Sequence, residues 1–100
     1  MKRNFDKVLT TFEGEEMKIA ENKMATARVV IVDALLAEDP KMSGTEKMKN
    51  FVLAEKVHKT PDGESVELST EELTIIKNSV GKIYKPLVVG QVYRIIEGEE

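Results

Sequence analysis

At 100 residues, with 41% hydrophobic and 33% charged side chains, the chain has the composition of one globular domain spanning residues 1–100, able to bury roughly 65% of the surface its unfolded form exposes. The lack of Cys excludes a disulfide framework, thiolate metal sites and a cysteine nucleophile. A net charge of -3 without any Trp speaks against a general nucleic-acid-binding surface.

The opening MKRNFDKVLTTF carries positive charge but no uninterrupted apolar region behind it, so it does not read as a signal peptide. FDKVLTTF is rich in Val, Thr and Phe, EGEE supplies a glycine turn, and MKI alternates apolar with polar. This pattern predicts a β-hairpin over the first 19 residues. TARVVIVDALLAEDP follows, with Thr26 placed as an N-cap. On a helix the segment is apolar nearly all round, Arg28 and Asp33 being the exceptions. The reading is a central, mostly buried helix from about Ala27 to Ala37, ended by Asp39-Pro40. A strand for Val29–Val32 is the alternative, because all four residues are β-branched. The stretch is also too short, and too interrupted by Asp33, to cross a membrane.

Ser43 and Glu46 have capping-box spacing and open a helix through KMKNFVLAEKVHK. Phe51, Leu53, Ala54 and Val57 are expected on its apolar face, with Lys49, Val52, Lys56 and Lys59 opposite. Thr60-Pro61-Asp62-Gly63 marks the turn that stops it. Ser69 and Glu72 repeat the capping-box spacing, with Glu71 and Glu72 complementing the helix dipole. Leu73, Ile76, Val80 and Ile83 then form a core-facing stripe, and Gly81 reads as a breaker near its end. Pro86 suits a first helical turn. Val88, Val89, Val92, Ile95 and Ile96 line one face of a last helix that EGEE ends. Two such helices joined by four or five residues should pack as a helical hairpin. The expected fold is therefore α+β: an N-terminal β-hairpin followed by about four short helices.

Few residues offer chemistry. His58 is the only histidine; beside Phe51 and Ala54 it is expected as a half-buried packing residue. There is no G-x-S-x-G elbow, phosphate loop, G-x-G-x-x-G or EF-hand spacing. Glu15/Glu16 and Glu71/Glu72 are sequence neighbours, and adjacent helical positions diverge by about 100°, which is poor geometry for a shared catalytic proton. A non-enzyme without cofactor or metal is expected.

Charge is unevenly placed. Residues 41–60 hold five Lys against two acids, whereas residues 61–80 hold one Lys against five acids. Lys49, Lys56 and Lys59, with Lys41 and Lys47 nearby, form the best candidate contact surface, suited to an acidic protein or to the 61–80 segment of another copy. Nucleic-acid recognition is less favoured, since no Arg and no aromatic lie on that stripe. Phe12 and Met17 flank the hairpin turn and are expected at its surface, where an open strand edge invites pairing with another chain. Met24, Met42 and Met48 fall at element ends, where thioethers form adaptable contacts. The VVIV helix is expected to be covered either within one chain or at a homo-oligomer interface.

The order of segments, FDKVLTTFEGEEMK, VVIVDALLA, EKMKNFVLAEKVHK and VELSTEELTIIKNSVGKIYKPLVVGQVYRIIEG, resembles a group of small proteins encoded in tailed-phage and prophage genomes. The resemblance spans nearly the whole chain and rests on packing and capping positions. It implies a phage origin, a host-cytoplasmic location and a similar compact fold, and it transfers no site residues. The function expected is that of a non-enzymatic accessory protein, an assembly chaperone or a modulator of a host protein. A small regulatory nucleic-acid binder using the lysine-rich face is the alternative.

Overall fold

The computed structural model describes residues 1–98; Glu99 and Glu100, the end of the expected EGEE terminator, lie outside the described residues. Four strands and four helices run in the order β1 (Lys2–Arg3), β2 (Lys18–Ala20), β3 (Lys23–Met24), α1 (Ala27–Leu36), α2 (Gly44–Lys59), β4 (Val66–Glu67), α3 (Thr70–Ile83) and α4 (Pro86–Ile96). The class is α+β, and the last two helices pack as a hairpin.

The β-structure is shorter and more divided than expected. Regular pairing falls at β2–β3, around Glu21-Asn22, not on the two arms of the first hairpin. Those arms hold together through an isolated bridge between Thr10 and Glu16 and a turn at Thr11–Gly14. Gly14 takes φ +97° there, a conformation that disfavours any other residue. Three strand-like segments are knitted at one point: Leu9 N–H donates to Ala25, Ala25 N–H to Met17, and Met17 N–H to Leu9, at 2.8–2.9 Å. A second, unanticipated sheet pairs β1 with β4, with Lys2 opposite Glu67 and Arg3 opposite Val66. The chain start thus reaches across to the α2–α3 connection, and Arg3 Nε donates to the carbonyl of Ile96 at 2.7 Å, closing the C-terminal end of α4.

Val29–Val32 is helical. Thr26 caps α1 by accepting from Val29 N–H, and the β-branched run costs only a few tenths of a kcal/mol per residue in helix propensity. Burial outweighs that cost: Ala27, Val30, Ile31, Ala34 and Leu35 are all buried, because α1 packs against both α2 and α3. Its buried side is covered within the chain, while Val29 and Val32 are half-buried and Leu36 is exposed. Both capping boxes form, Ser43 with Glu46 and Ser69 with Glu72, each side chain satisfying the other residue's backbone N–H. Phe5, Leu9, Leu53, Val57, Leu68, Ile76, Val80, Val92 and Ile96 join α1 in one core cluster.

Three packing expectations are corrected. Phe51 is exposed: the buried stripe of α2 is Asn50, Leu53, Ala54 and Val57, and Phe51 falls on its flank. Ile83 is exposed at the last turn of α3, at the edge of the cavity left where α1 ends. Gly81 does not break α3, which continues to Ile83 and hands over to α4 through Tyr84-Lys85 alone. A Cβ on Gly81 would lie 2.6 Å from the Tyr93 hydroxyl, which donates to the Lys77 carbonyl at 2.8 Å. Gly81 is therefore the residue that lets α4 approach α3.

Candidate functional site

The five sequence-selected residues do not form one cluster. Lys49, Lys56 and Lys59 lie on the exposed side of α2, and Phe12 and Met17 on the N-terminal hairpin. Phe12 is 93% exposed at the tip of its turn, as expected, but Met17 is half-buried against the core. The open strand edge is also partly closed. The Gln91 side-chain amide on α4 accepts from Thr10 N–H at 2.9 Å and donates to the Thr10 carbonyl at 2.8 Å, standing in for a neighbouring strand.

The lysine stripe is divided by internal ion pairs. Lys56 Nζ lies 3.2 Å from both carboxylate oxygens of Glu72, on α3, so part of the charge asymmetry between residues 41–60 and 61–80 is spent inside one chain. Lys59 pairs with Glu55 one turn earlier at 3.4 Å. Lys47 and Lys49 have no carboxylate within 4.0 Å among the described residues.

Between those two lysines lies a feature the sequence reading missed. Met48, Phe51 and Val52 are 58%, 48% and 50% exposed. They make α2 an apolar ridge between two clefts. On one side, a cleft of about 440 Å³ is walled by Met48, Lys49 and Val52 against Glu71, Glu72 and Ile75 of α3. On the other, a cleft of about 590 Å³ is walled by Lys47 and Phe51 against the end of α1 and the loop to Met42. The sequence marks Met48 as a surface thioether at an element end and Val52 as a residue opposite the apolar face. Phe51 could not be found from sequence because only the position of α1 decides which flank of α2 is covered.

A third cavity, of about 480 Å³, lies where α1 ends between α2 and α3. Asn50 and Ser79 are its buried polar residues, and Asn50 Nδ2 donates to the Leu35 carbonyl at 3.4 Å. Asp39 at its rim pairs with Lys82 at 3.3 Å, and its carboxyl is held below the ordinary range first by the Lys41 N–H and then by Lys82. No base lies in hydrogen-bond reach of the Ser79 hydroxyl among the described residues. His58 is exposed, not half-buried, near the end of α2. Among the described residues no three His, Asp or Glu side chains converge as a metal-ligand set.

No described helix is long and apolar enough to cross a membrane. Comparison with protein-family models, curated proteins and solved structures returned no match to this chain.

Proposed function

We propose that this chain is a non-enzymatic accessory protein that acts by protein–protein contact, with the α2 ridge as its contact surface. The observation that carries this reading is the exposure of Met48, Phe51 and Val52 on one helix, beside Lys47 and Lys49, which have no internal carboxylate partner among the described residues. Isolated exposed apolar residues are ordinary, but three within two turns form a patch of the kind that partner proteins cover. The flanking cations select a partner whose apolar face is bordered by Asp or Glu. The internal pairing of Lys56 and Lys59 weighs against a row of phosphate contacts, which needs free cations along the helix. In keeping with the resemblance to small phage and prophage proteins, the role is that of an assembly chaperone or a modulator of a host protein in the host cytoplasm.

The test is photo-crosslinking in cells from a reactive residue at Val52, with Lys49→Glu and Met48→Ser as variants. The expected result is one recurrent protein adduct that both variants abolish while the far-ultraviolet circular dichroism is unchanged. An adduct that survives charge reversal, or crosslinking to nucleic acid alone, overturns the reading.

A further inference from the structure

A further concave surface lies between residues 7–12 and α4, away from the α2 ridge and independent of it. The groove has a volume of about 440 Å³ and an apolar lining that includes Val8, Pro86 and Leu87. Its charged lining residues are Lys7 and Arg94, both exposed, with no carboxylate within 4.0 Å among the described residues. Phe12 overhangs it, almost wholly exposed.

Gly90 gives the groove its depth. It sits inside α4, where glycine is the poorest helix former after proline, yet among the described residues nothing lies within 4 Å of where a Cβ would project. Gly81 is accounted for by the Tyr93 hydroxyl; no contact among the described residues accounts for Gly90. A missing side chain on a groove wall lets another chain approach the helix backbone closely.

We propose that this groove binds an extended acidic segment of a partner protein, with an apolar side chain seated over Gly90 against Phe12 and flanking carboxylates on Lys7 and Arg94. Charge complementarity selects the occupant: the groove presents cations alone, in a chain of net charge -3. Gln91 already occupies the Thr10 backbone, so the segment is read by side-chain contacts and not by strand addition. Two cations are too few to track a nucleic-acid backbone, for which affinity grows with every phosphate neutralised.

The probe is a short fluorescent peptide of Glu and Asp with one central Leu, titrated at low salt against the full chain. Weak binding is expected, weaker still in salt, and reduced about tenfold or more by Lys7→Glu or Arg94→Glu. Gly90→Leu fills the groove and should abolish binding while the melting temperature holds or rises, since leucine favours the helix; Gly90→Ala serves as the small-volume control. Undiminished binding by Gly90→Leu, equal binding of a Lys-substituted peptide, or tighter binding of a single-stranded oligonucleotide through Lys7 and Arg94 would each overturn the proposal.

Discussion

Arg28 and Asp6 form a two-pronged ion pair, Nε to Oδ1 at 2.9 Å and Nη2 to Oδ2 at 3.1 Å, with Arg28 only 12% exposed. The remaining nitrogen, Nη1, donates to the carbonyls of Val57, His58 and Thr60, which are the unpaired C-terminal acceptors of α2. Asp6 in turn accepts from Gly63 N–H, in the turn after α2. One side chain on α1 thereby ties the N-terminal segment to the end of α2.

Removing that guanidinium should cost far more than an exposed ion pair would. Arg28→Met leaves a partly buried carboxylate and a helix end without donors, and about 3 kcal/mol of stability should go. Asp6→Asn keeps an acceptor for Gly63 and should cost about 1 kcal/mol. Urea unfolding at neutral pH checks the order of the two; equal losses would show that Arg28 does little for α2.

Acid should weaken the fold in a defined window. Burial is the largest influence on Asp6 and pushes its carboxyl up, but the Gly63 N–H and Arg28 together outweigh it and hold it below the ordinary range. Glu72 follows the same pattern, with Ser69 N–H and Lys56 outweighing burial, and Ser43 N–H lowers Glu46. Because these groups titrate lower folded than unfolded, the unfolded chain binds more protons as pH falls below their ordinary values of about 4. Stability should be flat from neutrality to about pH 5 and fall below that, and Arg28→Met should show a shallower fall. Chemical denaturation at several pH values measures both slopes.

Gly81 and Tyr93 should be strongly coupled. Alanine at an exposed helical glycine normally gains about 1 kcal/mol. Here the methyl would displace the Tyr93 hydroxyl from the Lys77 carbonyl, so Gly81→Ala should be near neutral or slightly destabilising. In a Tyr93→Phe background the same change should recover the gain, a coupling of about 1 kcal/mol in a double-mutant cycle. Additive effects would mean that the ring shifts freely.

The two capping boxes should behave alike. Ser43→Ala and Ser69→Ala each leave an N3 backbone N–H unpaired and should cost about 1 kcal/mol. Glycine at either position should recover most of the loss, which thermal unfolding can resolve.

Those boxes were legible because every partner lies within three residues of the other. Thr26, Ser43, Ser69 and Pro86 mark helix starts in the sequence, and each helix begins beside its marker. The stripe of α4 was equally plain, with Val92, Ile95 and Ile96 buried. Legibility failed wherever the partner is distant. Arg28 reads as an anomaly in an apolar helix, since its partners are 22 to 33 residues away. Gln91 carried no signal at all, because its partner Thr10 is 81 residues earlier. The candidate surface divided the same way: Phe12 could be placed at a turn tip, whereas the fates of Lys56 and Phe51 depended on which helices come to lie beside α2.

Four helices, their starts and the apolar stripe of α4 were determined by the sequence itself, since capping and helical periodicity act between residues three or four apart. Tertiary structure alone decided which cations keep no internal partner, which glycine is filled by a tyrosine hydroxyl, and where a groove stays open. Those outcomes depend on segments far apart in the chain, whose side chains share space only after the helices have packed.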